Sequence, residues 1–326
     1  MNVSVIATVL NERESIGVLL ESLAAQTRPP DEIVIVDGGS TDGTLDIIAR
    51  YLDRLPLRLL FRPGANISQG RNYAIQHATG DIIAATDAGT RLSPEWLAEI
   101  VAPIERGDAA VCAGFFVSDP RTTFEIALGA TTLPDLRDIR PERFLPSSRS
   151  VAFLKRAWEE VGGYPEWLDY CEDLIFDFAL RKRYGTFAFA PKAIAYFRPR
   201  PSLRAFARQY YRYARGDGKA DLWRERQAAR YGTYFVAVPL IALAGWLSHP
   251  AFWLLYGLGA AVMFCTPYRR LLPRLAGLPA REKAKAILLV PVIRIVGDWA
   301  KMAGYPAGVW WRLRHRAEIP PHPRRP

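Results

Sequence analysis

The chain has 326 residues, of which 50% are hydrophobic, and its 43 Lys and Arg outnumber 33 Asp and Glu, which gives a formal net charge of +10. This composition excludes a collagen, a coiled coil and an acidic tail protein, and it supports a sizeable core in about two domains. Three widely spaced cysteines exclude a disulfide scaffold and a cysteine-based zinc site, and they suit a reducing compartment.

The first two hundred residues alternate between short apolar runs and segments with helical hydrophobic spacing. Strands are predicted at 3–9, 32–36, 57–61, 81–86 and 109–117, and helices at 15–26, 41–52, 68–77 and 93–105. Thr41 or Asp42 is the predicted N-cap of the second helix, and Ser68 that of the third. The alternation predicts an α/β domain with a mainly parallel sheet and helices on both faces.

Polar clusters follow three of the predicted strands, at residues 11–12, 37–43 and 87–89. In sheets of this kind, ligands bind beyond the carboxyl ends of the strands. The clusters are far apart in sequence, and we expect them to converge on one binding site.

Residues 36–44, with the sequence VDGGSTDGT, resemble the donor-binding loop of family 2 glycosyltransferases, which have the GT-A fold. Companion motifs of the family follow in order: residues 8–12 (TVLNE), 70–72 (GRN), Asp87, 162–164 (GGY) with Glu172 and Asp173, and 209–213 (QYYRY), where Tyr replaces the usual Trp. The resemblance covers residues 3–217, and it implies a catalytic domain at 1–217 that uses a nucleotide-sugar donor linked to UDP or GDP.

The resemblance also implies which side chains hold the donor. These are Thr8, Asn11, Glu12, Asp37, Gly70, Arg71, Asp87, Gln209 and Arg212. An Asp37 carboxylate suits a base N–H, and Glu12 suits a ribose hydroxyl. Simpler interpretations stay open, because Asp dominates turns, Glu12 also suits a solvated helix start, and the two arginines also suit exposed helix faces.

In the family, Mg²⁺ or Mn²⁺ is usually held by an Asp-x-Asp motif, since hard cations prefer oxygen ligands. This chain has Asp87 at the first position, which makes it the candidate metal ligand, and Gly89 at the second. The glycine puts strict metal dependence in doubt, and Arg71 and Arg212 are alternative sources of positive charge.

By the same resemblance, Asp173 is the catalytic general base that deprotonates the acceptor hydroxyl, and Glu172 orients it. The product then has inverted configuration. The alternative is that both carboxylates only stabilise the start of a helix at 174–183 through the helix dipole.

Residues 231–268 contain no Lys, Arg, Asp or Glu, and Pro250 interrupts them near the middle. We predict a C-terminal membrane-associated region, 218–326, with spans at 233–248 and 250–267 whose ends face the cytoplasm. An interfacial helix or third span is predicted at 284–300. The alternative for the two spans is a buried helical hairpin of a soluble protein.

Basic residues flank this apolar run. Residues 198–230 hold ten Lys and Arg against three Asp and Glu, and residues 301–326 hold six against one. Anionic membrane lipid is the expected partner rather than nucleic acid, because no nucleic-acid motif accompanies the charge. The proline-rich residues 319–326 predict a disordered tail. The N-terminus does not resemble a signal peptide, so the catalytic domain is expected in the cytoplasm.

Together these features predict an inverting glycosyltransferase at the inner (plasma) membrane that transfers one sugar to a hydroxyl of a sugar or lipid-linked acceptor. Acceptor recognition is expected within residues 118–150. Two alternatives remain: a processive polysaccharide synthase, and a non-catalytic, membrane-tethered protein that binds nucleotide sugars.

Overall fold

The computed structural model describes residues 1–323, and the chain divides into two compact units. Of the described residues, the first contains 1–119, 135–198 and 320–323, and the second contains 120–134 and 199–319. Residues 199–217, which the sequence assigned to the catalytic domain, therefore cluster with the C-terminal helices. Of the predicted tail, residues 319–323 form no helix or strand, and residues 324–326 lie outside the described residues.

The first unit is built on a sheet of eight strands in the order β3-β2-β1-β4-β7-β6-β8-β5. The strands are β1 (Val3–Val9), β2 (Glu32–Asp37), β3 (Leu57–Phe61), β4 (Ile82–Ala85), β5 (Thr90–Leu92), β6 (Val111–Ser118), β7 (Val151–Leu154) and β8 (Ala188–Phe197). Strands β1 to β4 are parallel, as predicted from the alternation of strands and helices along the chain. Beyond β4 the sheet is mixed, because β7 is antiparallel to both β4 and β6.

Seven helices precede residue 185. They are α1 (Ile16–Ala24), α2 (Thr44–Ala49), α3 (Ile67–His77), α4 (Trp96–Glu105), α5 (Thr123–Thr132), α6 (Lys155–Val161) and α7 (Glu172–Tyr184), of which α5 belongs to the second unit. Helix α4 anchors its first turn in the core of the first unit, where the fully buried Trp96 donates its indole N–H to Ser150 Oγ at 2.8 Å.

The N-caps of two helices differ from those predicted. Helix α3 is capped by Asn66, whose Oδ1 accepts the Gln69 amide at 2.9 Å while the Gln69 side chain accepts the Asn66 amide. This reciprocal pair satisfies two amides that the helix leaves without a partner, so the prediction of Ser68 was wrong. Helix α2 has Gly43 as its N-cap, with φ of 91°, and Asp42 accepts the Thr44 amide from one residue earlier.

The second unit consists of α5 and a set of long C-terminal helices. These are α8 (Leu203–Lys219), α9 (Arg224–Gly232), α10 (Val238–Leu247), α11 (Leu254–Leu271) and α12 (Ala280–Arg314), with a π-helical segment at Thr233–Ala237. The segment predicted at 284–300 is part of the continuous helix α12. Helices α8 and α12 approach so closely at Gly308 that a Cβ atom there would lie 2.0 Å from the Arg215 carbonyl oxygen. Glycine at this position therefore permits the approach.

Two helical stretches, Arg224–Leu247 and Pro250–Leu275, are long and apolar enough to cross a membrane, and their apolar windows are only 6% buried. Trp246 is 82% exposed, and Leu254 and Val262 are each 76% exposed. This exposure differs from the alternative of a buried hairpin, whose apolar side chains would be covered by the protein.

Candidate active site

A buried arginine joins three segments of the first unit. Arg71 on α3 has a side chain that is only 4% exposed, and its Nη1 lies 2.7 Å from Glu172 Oε1. Its Nη2 lies 2.8 Å from Asp87 Oδ1. Burial opposes the charge of Arg71, but the two carboxylates outweigh burial and raise its pKa. Arg71 is therefore a fixed positive charge at this site.

A second arginine reaches the other side of Asp87. Arg149 Nε lies 3.3 Å from Asp87 Oδ2, so each carboxylate oxygen of Asp87 faces a guanidinium group. Burial opposes ionisation of Asp87, but Arg71 and Arg149 hold its pKa below the usual range. Asp87 is thus ionised at neutral pH.

The sequence analysis did not identify Arg149. Strand β7 begins two residues after it and runs antiparallel to β4, with Val151 opposite Ala85. The start of β7 therefore lies at the carboxyl end of β4, where Asp87 follows. A sequence signal for this position would have required the direction of β7 to be known in advance.

Asp173 lies in the first turn of α7, beside Glu172. The helix starts after Cys171, whose φ of 64° is left-handed, and the Leu174 amide donates to Asp173 Oδ1 at 2.9 Å. Burial disfavours the charged form of Asp173, and the adjacent Glu172 carboxylate repels it. Together these effects raise the pKa of Asp173 to about 7. The carboxyl group can therefore take up and release a proton near neutral pH.

One turn further along α7, Asp177 is almost fully buried, at 3% exposure. Burial and the nearby Asp173 raise its pKa well above the ordinary value. Among the residues that the structure describes, nothing donates a hydrogen bond to its Oδ2. Burial thus disfavours the charged form of Asp177, and the sequence analysis missed this residue because an acidic residue in a helix usually faces solvent.

The loops after β1 and β2 are tied to each other by hydrogen bonds. Asp37, at the end of β2, is buried and accepts the amides of Gly39 and Ser40 at 2.8 and 2.9 Å. Asn11 Oδ1 accepts the Thr41 amide at 2.9 Å. These bonds show that Asp37 and Asn11 shape the loops. Their contact with a nucleotide stays a prediction.

Glu12 lies beside the same loops and is half-buried. Its amide donates to Thr44 Oγ1 at 2.9 Å, and its carboxylate accepts the hydroxyl of Ser15. The backbone of Glu12 thus connects the loop after β1 to the start of α2. The predicted contact of its carboxylate with a ribose is not tested.

Thr8 and Gly70 form the contact between β1 and α3. A Cβ atom at Gly70 would lie 2.7 Å from Thr8 Cγ2, which is closer than real carbon atoms approach. Glycine is therefore required for packing at this position, and donor binding by these two residues remains a prediction.

The predicted site residues Gln209 and Arg212 lie on α8 in the second unit. Gln209 Nε2 donates to the Tyr213 hydroxyl at 2.7 Å, and Arg212 is exposed. The first unit alone brings together Arg71, Asp87, Glu172 and Asp173, so the roles of Gln209 and Arg212 stay predictions.

Family comparisons agree with this arrangement of motifs. A model described as glycosyl transferase family 2 matches residues 4–156, and one described as glycosyl transferase family group 2 matches residues 82–293, well over half of the chain. The chain belongs to glycosyltransferase family 2.

Relatives of this family 2 chain match it over only part of its length. The uncharacterized glycosyltransferase YibD of Escherichia coli K12 is 37% identical over 92 residues, which cover 28% of this chain and 27% of YibD. The chain thus spans about a quarter of this curated relative.

Solved structures show the same fold. Residues 1–349 of Staphylococcus aureus TarS match with a TM-score of 0.51 and 21% identity, covering 96% of this chain and 92% of that one. The mannosyltransferase PcManGT from Pyrobaculum calidifontis, solved with GDP-Man and Mn²⁺, matches with a TM-score of 0.56 and 20% identity, covering 95% and 86%. The first unit of this family 2 chain therefore has the GT-A fold.

The first unit offers few ligands to a divalent cation. Within residues 1–323, no three His, Cys, Asp or Glu side chains group as metal ligands. Asp87 offers one carboxylate, and two guanidinium groups already face it. Mg²⁺ is commonly held by one or two carboxylates plus substrate phosphates. The arrangement therefore fits a cation that arrives with a phosphate-bearing substrate, and it does not fit one held by protein ligands alone.

Proposed function

We propose that this protein is an inverting glycosyltransferase that moves one sugar from a UDP- or GDP-linked donor to an acceptor hydroxyl, with Asp173 as general base. The proposal rests on the Asp173 carboxyl group. This group has a pKa of about 7 and lies beside the network of Arg71, Asp87 and Glu172. A general base is most effective when its pKa lies near the working pH. Solved TarS with UDP-GlcNAc and PcManGT with GDP-Man support a nucleotide-sugar donor.

In the proposed reaction the acceptor hydroxyl gives its proton to the Asp173 carboxylate. The acceptor oxygen attacks the anomeric carbon from the face opposite the nucleotide, and the bond from that carbon to the diphosphate oxygen breaks. The nucleoside diphosphate leaves with the electron pair, so the configuration at the anomeric carbon inverts. The carboxylate of Glu172, held in place by Arg71, repels the charged form of Asp173, which raises the pKa of Asp173 and makes it a stronger base.

Negative charge builds up on the leaving diphosphate, and we assign Arg149 to its neutralisation. Glu172 and Asp87 together compensate Arg71, whereas the Arg149 side chain is 24% exposed at the edge of the network. Arginine suits phosphate oxygens because its planar group donates several hydrogen bonds.

A divalent cation is proposed to take part with the donor. Asp87 would hold Mg²⁺ or Mn²⁺ jointly with the donor phosphates. The cation supplies further charge neutralisation when it is bound. Mn²⁺ in the solved PcManGT complex supports this proposal.

We also propose that Arg224–Leu247 and Pro250–Leu275 anchor the protein in the inner (plasma) membrane with both ends in the cytoplasm. Their high exposure supports this, and basic residues flank the apolar run, as the positive-inside rule requires. An anchored enzyme meets membrane-bound acceptors at a raised effective concentration, so a lipid-linked acceptor is favoured.

The test is release of UDP or GDP by the purified full chain from a panel of nucleotide sugars, with and without acceptors. Wild-type protein should release one nucleotide in step with sugar transfer, and Asp173→Asn should retain donor binding but lose turnover. Unchanged turnover in Asp173→Asn would refute the base assignment. Long products would instead indicate a processive synthase, and donor binding without transfer would indicate a non-catalytic protein.

A further inference from the structure

A small polar cavity lies among the helices of the second unit. Its volume is about 100 Å³, and α5, α8 and α12 supply its walls. The lining residues with polar side-chain groups are Thr131, Thr132, Tyr210, Arg294, Asp298 and Lys301. A cavity of this size and polarity among packed helices needs a physical explanation.

The one carboxylate in the lining is fully engaged. Asp298 has a side chain that is only 8% exposed, and Arg230 Nε lies 2.8 Å from its Oδ1. Its Oδ2 accepts the Tyr234 hydroxyl at 3.2 Å and lies 3.4 Å from Arg294 Nε. Three groups therefore share the negative charge of Asp298, and little of it remains for a fourth.

The Lys301 ammonium is the remaining charge. It lies 4.7 Å from the centroid of the Tyr210 ring, and within residues 1–323 it makes no hydrogen bond or ion pair. Burial and repulsion from Arg230 lower the pKa of Lys301 to about 8, although Asp298 and Asp217 act in the opposite direction. The positive charge of Lys301 is therefore only partly compensated by the protein.

A threonine hydroxyl in the lining can accept a hydrogen bond from a ligand, which favours an anion that carries a proton. Thr131 Oγ1 and Thr132 Oγ1 each donate at 2.7 Å to a carbonyl oxygen one turn back in α5. Thr132 also forms a side-chain hydrogen bond with Tyr210, whereas the lone pairs of Thr131 Oγ1 stay available as acceptors. A ligand that fits this lining has anionic oxygens for the cations and a hydroxyl for Thr131, which describes a phosphomonoester or hydrogen phosphate.

We propose that this cavity binds the phosphate group of an anionic ligand, with Lys301 and Arg294 as its principal contacts. The volume suits one phosphate rather than a whole nucleotide. A lipid headgroup and a free phosphate share this chemistry. Exposed Trp299 and Trp310 on the same helix suit a membrane interface. The site does not depend on the proposed sugar transfer.

The test measures thermal unfolding of the full chain in detergent with three additives. These are inorganic phosphate, dioctanoyl phosphatidic acid, and KCl at matched ionic strength as the baseline. A midpoint raised by phosphatidic acid alone assigns the site to a lipid headgroup, and one raised by both phosphate compounds assigns it to the phosphate group itself. If neither compound raises the midpoint above the KCl baseline, the proposal is wrong.

Variants distinguish a site from general attraction to a basic protein. Lys301→Gln should weaken the apparent affinity for the effective compound by about tenfold or more, since it removes a charge-assisted contact, and Lys301→Arg should retain most of the binding. Lys283→Gln is the matched control, because Lys283 is exposed on the same helix and carries the same charge. Equal weakening by Lys301→Gln and Lys283→Gln would overturn the proposal. If Lys301→Gln does not fold, Arg294→Gln takes its place, since the Arg294 side chain is 43% exposed.

Discussion

Arg71 Nη1 lies 2.7 Å from Glu172 Oε1, and this buried ion pair joins residues that are 101 positions apart in the chain. The same guanidinium group bonds Asp87 at 2.8 Å. One side chain thus fixes the start of α7, which carries Asp173, against the segment after β4. The predicted base and the predicted donor-binding carboxylate are held in one rigid arrangement, which catalysis by positioning requires.

Arg71→Met should strongly destabilise the first unit. Removing one partner of a buried ion pair leaves an uncompensated charge, which typically costs about 3–5 kcal/mol. Here the substitution removes the Arg71 partner from both Glu172 and Asp87, although Arg149 remains beside Asp87. Chemical denaturation measures the loss. Arg106→Met is the control, because its ion pair with Asp108 is exposed, and a loss as small as that of the control would contradict the structural role of Arg71.

Two carboxyl groups one turn apart on α7 should respond differently to amide substitution. Asp173→Asn should lower kcat by about 10²–10⁴-fold, the usual contribution of a general base. Asp177→Asn should leave kcat nearly unchanged, because burial already disfavours the charged form of Asp177 and the amide analogue has nearly the same shape. Steady-state kinetics with saturating donor measures both. A large loss from Asp177→Asn with a smaller one from Asp173→Asn would reverse the assignment.

The activity should rise with pH through about 7. Asp173 accepts the proton only when it is ionised, and its raised pKa means that the ionised fraction falls as pH drops below about 7. kcat/KM should therefore fall by about tenfold for each pH unit well below this value. Glu172→Gln removes the neighbouring repulsion and should move the acid limb to lower pH. An acid limb that stays in place in this variant would mean that another group titrates.

Features of the site that depend on local sequence can be predicted, whereas those that depend on tertiary contacts cannot. Strands β1, β2 and β4 can be predicted from local sequence, since each is a short, largely apolar run that is buried on both faces. Strand β3 is partly exposed, with Phe61 56% exposed. The GT-A motifs then identified Asp87, Glu172 and Asp173. That Arg71 links them required the structure, because an arginine in a helix more often faces solvent.

Two features of the site were out of reach of local patterns. Arg149 faces Asp87 only because β7 runs antiparallel to β4, and strand direction is a property of the whole sheet. The groups that pack around Asp177 disfavour its charged form, and its sequence neighbours on α7 do not show this. Burial and topology, rather than residue type, decide both outcomes.

Binding of a divalent cation should depend on nucleotide. Mn²⁺ alone should leave the unfolding midpoint unchanged, because Asp87 is a single carboxylate already faced by two guanidinium groups. Mn²⁺ with UDP or GDP should raise the midpoint above that of the nucleotide alone. Asp87→Asn should abolish this increment, whereas Asp108→Asn, at an exposed position, should preserve it. A shift with Mn²⁺ alone would indicate a protein-held metal site that the arrangement does not provide.

The contact between Gly70 and Thr8 makes a prediction that separates packing from donor binding. Gly70→Ala should destabilise the first unit by about 1–3 kcal/mol, since the new Cβ would lie 2.7 Å from Thr8 Cγ2 and force α3 away from β1. Thr8→Ser removes that methyl group, so the double variant should recover most of the lost stability. Chemical denaturation of the two single variants and the double variant gives the coupling energy. Additive effects would mean that the methyl group does not limit the approach of α3. Restored stability with donor affinity still reduced would show that Thr8 or Gly70 also contacts the nucleotide sugar.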